Sequence, residues 1–264
     1  MSEASAMTTG PDNREVVVLL HSLGTDRRLW HPQATALSGR YRVITPDSRG
    51  HGDTAWRGPL RLSDWVTDLH AELAPVSRKV HLVGLSMGGV QAVAYAERHP
   101  DRVCSLVLAN TFAGLAPEIA DRRMEAISRA LPEQGMAGYA ETYLKETLTR
   151  PLASADRAML YDAIASVSPE AYLASAEATF RVDNTSRLTG IDVPTLVLAG
   201  ADDNKTPLPL LRELEQGIHG ATLRVIPRAG HLSNIENPEA FTEALTTFFA
   251  AIGGERHMRK EPAL

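Results

Sequence analysis

The stretch at residues 79–100, KVHLVGLSMGGVQAVAYAERHP, decides the reading of this chain. It opens on a short β-branched run of strand length and, from Gly88, continues in a helical pattern to His99. Between the two stands Gly84-Leu85-Ser86-Met87-Gly88. A serine on a tight strand-to-helix turn has its hydroxyl held above the sheet, and the strained backbone of that turn needs small neighbours. Gly84 and Gly88 meet that need, and Gly89 lets the helix approach the adjacent strand. A helix starting just after Ser86 aims its free N–H groups and the positive end of its dipole where negative charge grows during attack on a carbonyl. The five letters alone could be a glycine-rich turn; the flanking strand and helix make them a setting for a nucleophile.

Outward from this segment, short apolar runs alternate with helical patterns. The strands are expected at 15–20, 41–45, 79–83, 104–109, 194–199 and 222–226, and the helices at 63–73, 88–99, 207–217 and 238–252, the last stopping at Gly253-Gly254. That rhythm predicts an α/β fold with a mainly parallel central sheet and helices on both faces. Between Asn110 and Ile191 no convincing strand occurs, and helical stretches fall near 117–131, 136–149, 154–166 and 169–180. So long an insertion cannot be structureless in a compact domain. It reads as a helical cap, 111–190, over a core made of 1–110 and 191–264, set above the strands' carboxyl ends where open α/β sheets bind ligands.

Composition narrows the function. With 264 residues, 44% hydrophobic and 22% charged, the chain has enough apolar side chain for a large core. Its net charge of −5 and lack of a basic run offer no electrostatic footprint for nucleic acid. The sole cysteine, Cys104, lies in an apolar run and reads as core packing. The first fifteen residues lack an apolar signal-peptide region and nowhere do 18 apolar residues run together, so a cytoplasmic protein without a membrane span is expected. The charged tail from Glu255 is expected to fray. No HExxH, CxxC or phosphate loop calls for a metal or another cofactor.

A serine hydroxyl is a weak nucleophile and needs a base, itself oriented by a third group. Nine histidines compete. His231, in RAGHLSNIENP after the final strand, is the leading base; His21, directly after the first strand, is its main competitor, and His51 in SRGHGD also approaches from the strand ends. For the acid, PTLVLAG runs into ADDNKTP, where only one of the adjacent Asp202 and Asp203 can point inward.

HSLG after the first strand, DSRGHGDT after the second, GLSMGG, GADDNKTP and GHLSNIENP together resemble the α/β-hydrolase superfamily over nearly all of 15–252 except the cap. The order serine, aspartate, histidine agrees with that resemblance. It implies Asp203 as the acid, because the pattern G-x-x-D-x-x-x-P lands on Gly200, Asp203 and Pro207, and it implies an oxyanion hole from the backbone N–H groups of Leu23 and Met87. Arg49-Gly50-His51-Gly52 would be structural, and Asn110, where some relatives place the acid, is not a carboxylate. Within the superfamily, LLHSLGTDRRLWHPQ with DSRGHGDT and GLSMGG is similar to 3-oxoadipate enol-lactonases, although His21 stands where those commonly have Asn and the cap matches no motif.

The resemblance implies a serine hydrolase that cleaves a small ester or lactone with Ser86, Asp203 and His231; a monomer or homodimer is expected. His21 and Trp30 are candidate substrate contacts, and Trp56 could line the same pocket. A carbon–carbon bond hydrolase or perhydrolase could use the same triad, and a non-catalytic small-molecule-binding protein would not need it; a dehalogenase or epoxide hydrolase would need aspartate in place of Ser86. The cap's eight basic residues face eleven acidic ones, so it is no broad anion funnel, though one inward arginine could hold a substrate carboxylate.

Overall fold

The computed structural model describes residues 6–258. Seven strands form one sheet: β1 (Ala6–Thr9), β2 (Val16–Leu20), β3 (Arg42–Pro46), β4 (Val80–Leu85), β5 (Val103–Ala109), β6 (Thr195–Gly200) and β7 (Thr222–Ile226), in the order β1-β3-β2-β4-β5-β6-β7. All neighbours are parallel except β1 and β3. Side-chain alternation divides the core into two layers. Val17, Leu19, Val83, Leu85, Val107, Ala109, Leu196 and Leu198 enter one apolar cluster; Val16, Val18, Leu20, Val80, Leu82, Leu106, Leu108, Val197 and Ala199 enter the other. Helices α1 (His31–Leu37) and α9 (Pro238–Met258) cover the first layer, and α2 (Leu62–Glu72), α3 (Met87–Arg98) and α7 (Leu208–Gly217) cover the second.

Sheet order reverses at β2, which has β3 on one side and β4 on the other, leaving a crevice at the carboxyl ends where such sheets take ligands. Over those ends lie α4 (Pro117–Thr147), α5 (Ser154–Ser166) and α6 (Pro169–Phe180), whose Leu144, Ile164 and Tyr172 join the same apolar cluster as Leu23 and Met87. α4 is two helices in one run, broken where Gly135 takes φ 63° and ψ 172°. A short helix, α8 (Ser233–Glu236), precedes α9.

Three local features differ from expectation. β1 was not expected; its four residues AMTT carry little pattern and are held by antiparallel pairing with β3. The segment around Trp30, for which no helix was expected, is a 3-10 turn (Arg27–Trp30) capped by the Asp26 side chain and running into α1, where Pro32 suits the first turn. α9 does not stop at Gly253-Gly254 but continues to Met258, because a glycine weakens a helix without ending it unless the backbone turns left-handed. The part of the expected frayed tail from 259 onward lies outside the described residues. Among the described residues no helix is long and apolar enough to cross a membrane.

Candidate active site

Ser86 joins β4 to α3 with φ 54° and ψ −114°, a conformation costly for a residue with a Cβ and tolerated where the surroundings over-determine it. Those surroundings are specific. The Ser86 amide donates to the Ala109 carbonyl at 2.9 Å, and the Thr111 hydroxyl donates to the Ser86 carbonyl at 2.7 Å. A Cβ on Gly84 would fall 2.2 Å from the Gly88 carbonyl oxygen, and one on Gly88 would fall 2.2 Å from that of Leu20. Both obstacles are backbone, so α3 can lie this close to β2 and β4 only with glycine at both positions.

Three loops then converge. His231 Nε2 lies 2.9 Å from Ser86 Oγ, and His231 Nδ1 lies 3.0 Å from Asp203 Oδ2. Because a carboxylate only accepts, this pairing puts the proton on Nδ1 and leaves Nε2 to accept from the serine hydroxyl. Asp203 is heavily solvated by protein: the amides of Lys205 and Thr206 donate to Oδ1 at 2.8 and 3.0 Å, Asn110 Nδ2 donates to Oδ2 at 2.8 Å, and the Thr206 hydroxyl donates to the same oxygen. Burial opposes its charge, yet His231 and the hydrogen bonds from His231, Thr206 and Asn110 outweigh burial and hold the carboxyl well below the usual carboxylate range. Asp202 beside it is exposed, its amide held by the Ala229 carbonyl at 2.9 Å. Such an array can lower the cost of removing the Ser86 proton as the hydroxyl attacks an electrophilic carbon.

Met87 opens α3, so its amide has no carbonyl a turn earlier to bond. Leu23 lies in the loop after β2, the strand next to β4, with Leu20 in register with Gly84. Among the described residues neither amide has a hydrogen-bond acceptor, which leaves both available to an oxyanion. The loop is fixed on either side of Leu23, by Thr25 Oγ1 donating to the Ser22 carbonyl at 2.9 Å and the Gly24 amide donating to His51 Nε2 at 3.2 Å.

Two expected substrate contacts are elsewhere. His21 is wholly buried; its Nε2 accepts from the Ser48 amide at 2.9 Å and its Nδ1 sits 2.8 Å from the Ser22 carbonyl. With both nitrogens committed to backbone, it ties the β2 and β3 loops together and has none left for a substrate. Burial lowers its proton affinity, with Asp47 pulling the other way, and burial pushes His51 down to about 3. Trp30 is also wholly buried and packs on Phe241 at 5.9 Å between ring centroids, so it belongs to the α1–α9 layer. Trp56 packs beside Gly50 and Gly58.

Sequence reasoning gave the supports no part in the site, Asn110 being noted only for lacking a carboxylate. Asn110 both donates to Asp203 and accepts from Ser233 Oγ at 2.5 Å, linking the acid loop to the start of α8 just after His231. Its signal is weak, a polar residue ending a strand. Thr206, three residues after Asp203, lies in the turn whose Lys205 and Thr206 amides donate to the Asp203 carboxylate, and adds its hydroxyl as a further donor. Tyr143 on α4 lies beside Ser22 and Thr147; burial, then the neighbouring Tyr139, raise its phenol, which stays protonated as a donor. Among the described residues no group of three or more His, Cys, Asp or Glu is set to hold a metal ion.

Comparison with known proteins agrees with this architecture. Residues 17–244 match the model of the alpha/beta hydrolase family, and the chain belongs to that family. It is a hydrolase of the kind whose curated relatives include 3-oxoadipate enol-lactonase 1 of Acinetobacter baylyi, 31% identical over 260 residues, which span 94% of this chain and 93% of the relative. A protein of Caulobacter sp. (strain K31), provisionally named carbamate hydrolase RutD, is 30% identical over 91% of this chain and 93% of its own length. The crystal structure of the enol-lactonase from Burkholderia xenovorans LB400 superposes with a TM-score of 0.82 at 34% identity, covering 93% of this chain and 95% of that one.

Proposed function

We propose that this chain is a serine hydrolase that opens a small carboxylic ester or lactone through an acyl-enzyme. The observation that carries the reading is the unbroken relay from Asp203 through His231 to Ser86, 3.0 and 2.9 Å long, on a strained turn beside two unoccupied amides. In this reading Ser86 Oγ attacks the carbonyl carbon while His231 Nε2 takes its proton. The amides of Leu23 and Met87 receive the oxyanion, and Asp203 stabilises the imidazolium. His231 then returns the proton to the departing oxygen, and water activated by the same imidazole releases the acid. The helices of 111–190 act as a cap that shapes the pocket and selects the substrate. A 3-oxoadipate enol-lactone is the favoured substrate, supported by the relatives that bear that name at about a third identity.

The test is a panel of enol-lactones, saturated lactones, aryl esters, carbamates and vinylogous diketones, read as relative kcat/KM. Lactone or ester turnover should lead, and Ser86→Ala should abolish it while the circular dichroism spectrum stays native. Turnover persisting in S86A would discredit the nucleophile. Preference for the diketone would reassign the bond cleaved to carbon–carbon, and peroxide-dependent acid oxidation outrunning hydrolysis would mark a perhydrolase.

A further inference from the structure

The cap's basic residues are mostly accounted for. Arg157, Arg181 and Arg187 pair with Glu141, Asp121 and Glu97 at 2.5, 2.8 and 2.6 Å, and Arg122, Arg129 and Lys145 are exposed. Arg150 lines a separate outer groove with Leu148, Pro151 and Leu152. Arg123, in the first half of α4, is different. It is half-buried, its guanidinium lies over the Phe180 ring at 5.2 Å, and its Nη2 donates to the Lys205 carbonyl at 2.5 Å, two residues beyond Asp203. Among the described residues it forms no salt bridge.

A guanidinium has five N–H donors, and a desolvated cation is costly unless an anion completes it. The negative group whose charge reaches Arg123 is Asp203, but both its oxygens are already taken by His231, Asn110, Thr206 and two backbone amides. Lys205, the other cation on this rim, is paired with Glu146 at 3.2 Å. The second group within reach of Arg123 is Tyr143, a neutral phenol. The Tyr143 phenol is itself engaged with the side chains of Ser22 and Thr147, so it offers Arg123 no counter-charge. Burial lowers the proton affinity of Arg123, with Asp203 and Tyr143 opposing, as for a cation missing a full counter-charge. The Phe180 ring beneath the guanidinium holds the cation at this rim, and a guanidinium fork suits two parallel bonds to a planar carboxylate.

We propose that Arg123 is the anion-binding residue of the pocket and selects esters or lactones that carry a second, free carboxylate. This rests on the hydrolase reading above and adds to it the charge of the substrate and the side chain that recognises it.

The test compares 4-nitrophenyl monoesters of succinic, glutaric and adipic acids with the same esters whose free carboxylate is replaced by carboxamide. The wild-type protein should favour the best anionic ester, and in Arg123→Gln the anionic-to-neutral ratio of kcat/KM should fall about tenfold to a hundredfold, chiefly through KM, with Arg123→Lys in between. A ratio within about twofold of wild type in R123Q overturns the proposal, by the same measure of a charge-assisted bond lost. Because a ratio is read, any general loss of activity cancels. Calorimetric titration of glutarate into S86A gives a readout independent of turnover: binding that weakens at least about tenfold on adding R123Q, or R123K should the glutamine variant not fold, supports the subsite. No binding, or equal binding with and without Arg123, overturns it. Absence of hydrolysis of every ester by wild-type protein would instead sink the triad reading and leave the titration to judge Arg123.

Discussion

Asp203 shows how much chemistry one position can concentrate. Five donors converge on its two oxygens, and only the imidazole among them needs the negative charge for a reaction. An amide at this site would offer His231 a donor as readily as an acceptor and unsettle the tautomer. Asp203→Asn should therefore lower kcat by about three to four orders of magnitude, while Asp202→Asn, which changes an exposed side chain, should leave it within about twofold. The reverse ranking in steady-state assays would move the acid by one residue. Ser86, Asp203 and His231 were legible in the sequence because each occupies a punctuated loop after an apolar run. Asn110 and Thr206 were less so, since a neutral polar residue at a strand end has many ordinary uses. His21 and Trp30 misled for a related reason. Position after a strand brings a residue near the pocket, but whether the side chain faces it depends on hydrogen bonds with Ser48 and packing on Phe241, which neighbouring letters do not encode.

At the scale of elements, the turn from β4 into α3 is a packing problem solved with missing side chains. Gly88→Ala would push a methyl into the Leu20 carbonyl, an obstacle that cannot rotate away. Overpacking of this kind costs about 1–3 kcal/mol, so the melting temperature should fall by about 2–10 °C. Since the displaced helix carries Met87 and the Ser86 turn, kcat/KM should fall further than stability alone explains; a variant with wild-type kinetics at 25 °C would show that the close approach is not needed for activity. The strands were readable because those covered on both faces are nearly uninterrupted apolar runs. α1 was not, because HPQATAL has too few apolar residues to show a period, and its place is set by packing against α9. The two helical stretches expected in 117–149 are one run with a break at Gly135, where the positive φ marks the glycine's purpose.

Over the whole molecule, two buried histidines give the fold a pH dependence. The His51 imidazole is pushed down to about 3, whereas in the unfolded chain it titrates near 6.5. Between those values the unfolded state binds more protons, so the stabilisation is complete above about 6.5 and is withdrawn as pH falls toward 3. His21, also lowered, acts in the same direction. Melting temperatures measured from pH 7.5 to 4 should fall steadily, and the slope should be shallower in His51→Gln, whose amide oxygen can still accept from the Gly24 amide. An equal slope in the variant would assign the acid sensitivity to other groups.

The segment between β5 and β6 leaves and returns at one place: Gly114 and Asp183 face each other in a single antiparallel bridge, and the Asn184 amide donates to the Ala113 carbonyl at 2.8 Å. A detour that closes on itself strains the scaffold little however long it grows, because its ends are already joined. Residues inserted between Gly114 and Asp183 should therefore leave the register of the sheet beneath undisturbed, provided the helices still pack against Leu23 and Met87.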